Sequence, residues 1–538
     1  MFTRIFLFFA AFIAGIAILV SVGFSNFEPS VLKYDPVKGQ NNTILFLSNS
    51  ELGIANVHVA TSEALLIHHH DIQLHFASFP ARPAVSKAGL SVANLIEHIS
   101  ENVPKHVPGA STIKFHELSS PSWAEALTSR KLYPSDMSTP PGLAGIAKFC
   151  KDIEMYLMPW SGPEYYAIYK QISKIIDKVN PAVIAVDQTF GPAVDAIKAK
   201  KRKYAVISPN SLKDNFGLFQ PLGSFLWKYP ALGSGYPYPV PWHLIPANVY
   251  LNLRIFYSVW KSPALNAKKK YLEERGISNP NDLINVYNKN MTWITQSHRV
   301  IDFPLSVIPE NVKVCGSIYL DWKSSKGEGD ALLRWIATTP TILINSGSLA
   351  EYSPDSALEM ARALSVVLYH TNVQVLWRIS HHRYFNATDD FLHKSMVHLK
   401  DYRKAGRVIV TPDLSFESGA LLKTGNIIVS VHHGGANSYH EAAANGVPQV
   451  VLPMWAHHYD YAARVEYLEI GVHGSKGSAP NWTAGELASS IMTVLNDVPP
   501  GRWIRETATY RSWYFADPKS GRRCAAEELA KLARVDEV

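Results

Sequence analysis

The densest run of chemistry-bearing residues lies between Ile427 and Leu468, IIVSVHHGGANSYHEAAANGVPQVVLPMWAHHYDYAARVEYL. IIVSV has the apolar, β-branched character of a buried strand, and His432 to Ala436 supplies the glycines of a tight turn. Asn437 to Asn445 reads as a helix and QVVLP as the next strand. Such a strand-turn-helix unit aims the helix N-terminus at the carboxyl edge of a parallel sheet, where free backbone N–H groups and the helix dipole make an anion site. A diphosphate fits there. Each residue also has a plainer reading. Ser438 and Glu441 have the S-x-x-E spacing of a capping box, Gly446-Val447-Pro448 ends a helix in the usual way, and His433 can serve as a structural hydrogen-bonder. It is their combination that points to chemistry.

The elements that must position this segment are those of a parallel α/β chain, with short β-branched runs alternating with helical patterns. TILFLS (Thr43 to Ser48) reads as a buried strand, Asn49 to Asn56 as a loop, Val57 to Ile67 as a helix and IQLHFASF (Ile72 to Phe79) as a strand. VIAVD (Val183 to Asp187) runs into a helix starting near Pro192, and YAVIS (Tyr204 to Ser208) follows. From Phe216 to Trp260 the chain is crowded with Pro, Gly, Trp and Tyr and reads as an elaborated loop region that lines an apolar pocket, rests on a membrane or simply packs. Alternation resumes with TILINSGS (Thr341 to Ser348), a helix opening at Ser353-Pro354, and VQVLWRI (Val373 to Ile379), so a domain boundary is expected between Pro304 and Tyr319. The last helical stretch is Ala525 to Ala533, with Leu529 and Leu532 on one face.

A length of 538 residues favours two domains, and 47% hydrophobic against 18% charged residues excludes a disordered chain. The net charge of +7 suits an anionic ligand, but the basic residues are scattered, which argues against nucleic acid as a partner. Cys150, Cys315 and Cys524 are far apart, so neither a disulfide framework nor a zinc site is expected. The histidine pairs and triplets (His68 to His70, His381-His382, His432-His433, His457-His458) lack metal-ligand spacing. Residues Ile5 to Phe24 form an uncharged apolar run of 20, enough to cross a bilayer as a helix, with a cleaved signal peptide as the other reading. Either sends the chain into the secretory pathway with its bulk on the luminal side, at the endoplasmic reticulum. The sequons at Asn41, Asn290, Asn386 and Asn481 are compatible with that.

HGGANSYHE followed by GVP, VLPMW and YDYAARVEYL resembles the donor-binding signature of UDP-glycosyltransferases of the GT-B fold, fungal members above all, and the resemblance extends from about Thr43 to the C-terminus. It implies an α/β GT-B fold of two Rossmann-like domains facing a cleft: an acceptor domain over residues 41–310, a UDP-sugar domain over 311–500, and a helical segment over 501–538 that crosses back. A hydrophobic helix within residues 1–25 precedes them. By that resemblance His433 contacts one donor phosphate, Asn437 and Ser438 the adjoining one at the helix that Gly435 introduces, and Glu441 the ribose diol. Ser348 approaches the diphosphate from a neighbouring strand end. His457-His458 takes the place of the acidic-amide pair that holds the sugar, with Asp460 as substitute, and Leu414 or Phe416 the place of the tryptophan expected near Asp413 to stack on uracil.

For catalysis the resemblance implies a histidine base oriented by an aspartate. Asp187 matches the aspartate. Gly53-Ile54 stands where the family often has Gly-His, so His58, one helical turn onward, is the candidate base. The expected reaction is inverting transfer of a hexosyl group from a UDP-sugar to a hydroxyl of an apolar small-molecule or lipid acceptor, with no metal or cofactor besides the donor substrate. A non-catalytic UDP-sugar-binding protein or partner subunit is the alternative.

Overall fold

The computed structural model describes residues 31–32, 34–80, 91–281, 287–320, 328–347, 352–379, 396–412, 414, 418–517 and 519–534. Seven strands form a first sheet: β1 (Gln40–Leu47), β2 (Gln73–Ser78), β3 (Lys114–Glu117), β4 (Pro181–Val186), β5 (Tyr204–Ser208), β6 (Thr292–Thr295) and β7 (Val312–Val314), in the order β3-β2-β1-β4-β5-β6-β7. Six form a second: β8 (Thr341–Asn345), β9 (Gln374–Arg378), β10 (Val408–Thr411), β11 (Ile427–His432), β12 (Gln449–Val451) and β13 (Gly471–His473), in the order β10-β9-β8-β11-β12-β13. Every strand pairing is parallel. The helices used below are α1 (Leu52–His68), α2 (Trp123–Thr128), α3 (Gly162–Val179), α4 (Gly191–Ala199) and α5 (Ile245–Lys261). In the second half they are α6 (Pro354–His370), α7 (Ala436–Ala444), α8 (His458–Tyr467) and α9 (Arg522–Ala533).

Strand order reverses direction between β1 and β4 in the first sheet and between β8 and β11 in the second. In open parallel sheets the crevice beyond the strand carboxyl ends at such a reversal is where ligands bind. Each sheet has apolar groups on both faces, as parallel strands covered by helices require. In β1 and β4, Leu45, Leu47, Ile184 and Val186 pack on one side with Ile168, Ile172 and Ile176 of α3. Ile44, Phe46, Val183 and Ala185 pack on the other. That second side also receives Ala525, Ala526, Leu529, Ala530 and Ala533 of α9, so the C-terminal helix does return to the first sheet. Truncating buried Leu529 to Ala would cost about 2–5 kcal/mol.

Several expectations need correction. A disulfide joins Cys315, just after β7, to Cys524 in α9, because the returning helix brings together two cysteines that lie 209 residues apart. β7 pairs with β6, so the first sheet runs to Val314, inside the stretch from Pro304 to Tyr319 where the boundary is expected. Helix α1 starts at Leu52, shortening the expected loop, and the stretch expected as an elaborated loop contains most of the 17-residue α5, whose start carries a helix-compatible proline, Pro246. Ser353 caps α6 as its sequence requires, accepting from the Ser356 amide. The apolar run at residues 5–24 lies outside the described residues, among which no helix is long and apolar enough to cross a membrane.

Candidate active site at two facing sheet edges

On the second sheet, β11 ends at His432 and the chain turns through His433-Gly434-Gly435 into α7. The helix starts at Ala436 with Gly435 as its N-cap and no side-chain cap. Ser438 therefore sits inside the first turn, and the capping box it could have made with Glu441 does not exist. Among the described residues no side-chain cap takes the first-turn N–H groups, the usual basis of an anion site. His432 is fixed by Gln449, whose Oε1 lies 2.8 Å from Nε2, and its Nδ1 accepts from the Gly434 amide at 3.0 Å.

His433 is held by two glycines. A Cβ on Gly347, which follows β8 with φ +82°, would lie 2.4 Å from the His433 ring, and one on Gly435 would also lie 2.4 Å from it. The ring meets His458 edge-on at 4.6 Å between centroids, and its Nδ1 has no hydrogen bond among the described residues. Burial, then His432, His457 and Arg378, pushes its pKa down to about 3. A neutral imidazole results, a group that can hydrogen-bond an anion but cannot pair with it as an ion. Arg378, at the end of β9, is a cation the sequence reasoning passed over. Its Nη1 donates to the Gly347 carbonyl at 3.0 Å, and its position at a strand carboxyl end was the signal.

The remaining donor-side residues are placed unequally. Asn437 spans the cleft: its side-chain amide donates to the carbonyls of Leu52 at 3.3 Å and Gly53 at 3.2 Å, and its Oδ1 accepts from Gln296 at 2.9 Å. Glu441 is buried one turn farther along α7. His458, at the start of α8, is buried against Trp455, and burial and the neighbouring histidines 433, 457 and 432 hold its pKa well below the ordinary value. Asp460 is ion-paired with Lys213 of the first half, so its carboxylate is engaged across the interface; burial nevertheless raises its pKa to about 6. Leu414 belongs to an apolar cluster with Leu343, Leu376 and Leu421, which corrects its expected role as a uracil platform. Ser348 and Phe416 lie outside the described residues.

On the first sheet, Asp187 directly follows β4 and is fully buried. Its Oδ1 accepts from the Thr189 amide at 2.7 Å and hydroxyl at 2.8 Å, and Asn49 adds further hydrogen bonds. Burial outweighs these and raises its pKa to about 6. His58 is not beside it in the crevice. It is fully buried in α1, edge-on to Phe46 of β1 at 6.3 Å, and burial drives its pKa down to about 3, an effect the Ile207 backbone offsets only in part. A ring packed into the sheet face cannot reach an acceptor in the crevice, so the structure corrects its assignment as the base. The group that does stand at the β1 edge is Glu51, the residue preceding α1.

The two edges face each other. Besides Asn437, the crossing contacts include Thr139 N–H to the Met454 carbonyl at 2.9 Å, Tyr439 hydroxyl to the Ile301 carbonyl at 2.6 Å, and a buried Arg464–Asp302 ion pair at 3.0 Å.

Residues 416–519 match the family described as "Erythromycin biosynthesis protein CIII-like, C-terminal domain". Glycosyltransferase sdnJ of Sordaria araneosa is 33% identical over 85% of this chain and 91% of its own length. UDP-glucuronosyltransferase 1A4 of Oryctolagus cuniculus is 24% identical over 40% of this chain and 36% of its own. A UDP-glucosyltransferase structure from Polygonum tinctorium, 15% identical, superposes with a TM-score of 0.55 over 95% of this chain and 100% of that one, which establishes the shared GT-B fold. Two parallel sheets meeting at their reversal points, an uncapped helix at one of them, and this shared sequence along most of the chain lead to one conclusion: the chain belongs to the UDP-glycosyltransferase family and is a glycosyltransferase that uses a UDP-sugar.

Proposed function

We propose that the protein is an inverting hexosyltransferase that moves sugar from a UDP-sugar to a hydroxyl of an apolar small molecule or lipid at a membrane of the secretory pathway. The observation that carries the donor half is the uncapped N-terminus of α7 beside the glycine-wedged, neutral His433. Those groups can stabilise charge developing on the departing diphosphate, the electrostatic contribution that usually dominates such catalysis. Ser438 and Asn437 in the first turn would take the phosphates, Asn437 exchanging its bonds to Leu52 and Gly53 for the ligand, with Glu441 for the ribose and Ser348 as a further phosphate contact. His458 and Asp460 would lie toward the sugar. The acceptor oxygen attacks the anomeric carbon while UDP leaves from the opposite face.

Three features support the setting. The Cys315–Cys524 disulfide suits an oxidising compartment. The apolar run at Ile5 to Phe24 is long enough to anchor the chain. On α5, Tyr250, Tyr257 and Trp260 are exposed, with Trp242 just ahead; Lys261 lies 3.8 Å over the Trp260 ring, and Arg254 sits between the tyrosines on the same helical face. Aromatics interleaved with cations suit a headgroup layer.

Calorimetric titration of the protein with UDP, UDP-glucose and UDP-glucuronate, followed by a UDP-release assay with a panel of apolar alcohols, tests this reading. Binding plus acceptor-dependent release is expected, and no binding of any UDP species would overturn it. Deleting Met1 to Phe24 should release the protein from membranes.

A further inference from the structure

With His58 in the core, the acceptor hydroxyl needs another group to take its proton. We propose that Glu51 is the catalytic base, its unpartnered carboxylate oxygen Oε2 accepting the proton of the acceptor hydroxyl, and that Asp187 acts through it by its charge. The proposal rests on the transferase reading above and names the proton acceptor within it.

Four observations carry it. Glu51 stands where β1 gives way to α1, at the strand reversal of the first sheet, beside Asp187 at the end of the adjacent β4. The residues that follow it, Leu52 and Gly53, present the carbonyls to which Asn437 of the donor helix is bonded, so Glu51 is immediately next to the point where the two halves touch. Its two oxygens differ. Oε1 is held by the Ala124 amide of α2 at 3.1 Å and the Ser50 hydroxyl at 3.3 Å, whereas Oε2 has no hydrogen bond among the described residues. Oε2 is buried as well as unpartnered, so one oxygen is anchored and the other is left for an incoming hydroxyl to satisfy. Asp187 differs, since both its oxygens are occupied by Thr189 and its carboxylate also bonds Asn49, so it acts on Glu51 through its charge rather than on the acceptor.

The electrostatics agree with the geometry. Burial, and to a smaller degree the Asp187 charge, raise the Glu51 pKa to about 7, against favourable hydrogen bonds from Ala124, its own backbone and Ser50. Near neutrality a carboxylate so raised is still substantially ionised and is a much stronger base than an ordinary one. Asp187 is the charged group facing it from β4. Helix α2 offers it the Ala124 amide, while Glu125 turns back onto the Ser122 amide, and α7 presents neutral Asn437. In the step, the acceptor O–H bond breaks with its proton passing to Oε2. The acceptor oxygen bonds to the anomeric carbon, and the bond from that carbon to the diphosphate oxygen breaks, its electron pair leaving with UDP. Glu51 then returns its proton to solvent.

The test compares wild type with Glu51→Gln, which can still accept from the Ala124 amide, on two acceptors: an aliphatic alcohol used by the wild type and 4-nitrophenol at mildly alkaline pH, where that phenol is already ionised. Transfer to the alcohol should fall about 10²- to 10⁴-fold while transfer to the phenolate falls far less and UDP affinity by calorimetry is unchanged. The wild-type rate on the alcohol should rise with pH through about 7, a limb absent in the variant, and Glu51→Asp should retain part of it. Equal rates for wild type and Glu51→Gln on the alcohol, or equal losses on both acceptors, would overturn the assignment of Glu51 and leave the transferase reading standing. A wild type that binds UDP-sugar but transfers to no acceptor would overturn both.

Discussion

At the strand reversal of the first sheet the polar groups are carboxyls, Glu51 and Asp187; at the equivalent reversal of the second they are imidazoles, His432 and His433. Burial acts on both sets and pushes both toward their neutral forms: Glu51 up to about 7 and Asp187 to about 6, His432 down to about 4 and His433 to about 3. The consequences diverge. A carboxyl with a raised pKa becomes a better proton acceptor, which suits the side where a hydroxyl must be activated. An imidazole with a lowered pKa stays an uncharged hydrogen-bonding group, which suits the side where a diphosphate must be held yet released. The same architecture, with different residues at the same topological point, divides the reaction between its halves.

The sharpest way to break that division is Asp187→Asn. It removes the charge beside Glu51 and should slow transfer by about 10²- to 10³-fold, move the rising limb of the pH–rate profile to lower pH, and leave UDP affinity unchanged. Steady-state kinetics across pH, with calorimetry, would read all three. Unlinking the halves is next: Cys315→Ser should lower stability by about 2–4 kcal/mol in denaturant titration, because α9 is then held to the first sheet by non-covalent contacts such as its packing and the Arg534–Asp71 ion pair.

On the imidazole side, Gly347→Ala adds a methyl 2.4 Å from the His433 ring at a residue with φ +82°. It should weaken UDP binding by about 10-fold or more, with transfer at saturating donor much less affected, the reverse of the Asp187 pattern. The smallest effect is in the pH dependence of stability. Raised carboxyl pKa values stabilise the fold fully below the ordinary carboxylate range, and that stabilisation is lost as pH rises through about 6 to 7. Lowered imidazole values stabilise it above about 6.5, and that is lost as pH falls toward 3. Glu51→Gln should therefore flatten the decline in melting temperature between about pH 4.5 and 7, while His433→Ala should flatten the decline below about pH 6.5.

Much of this organisation was legible in the residues. TILFLS, VIAVD, YAVIS and VQVLWRI each became a strand of the expected sheet, since buried β-branched runs between turn residues have few other uses. HHGGAN marked the strand-to-helix turn because only glycines at 434 and 435 leave room there for the rings and backbone around them. The failures share one cause, which is that the deciding partner is distant in sequence. His58 was the nearest histidine to the place where the family resemblance puts a base, but the sheet packed against it makes it a core residue. The sequence alone also gave no reason to join Cys315 to Cys524, because only the return of α9 to the first sheet closes that distance.

By itself, then, the order of residues determined the two parallel sheets, the glycine turn into α7, and the aspartate at the end of β4, all of which depend on local periodicity and steric need. Only the tertiary structure decided that Glu51 rather than His58 stands at the crevice, that Asn437 bridges to Leu52 and Gly53, and that Asp460 is paired with Lys213. Burial and charge pairing are set by what packs against a residue, and strand order brings those neighbours from hundreds of positions away.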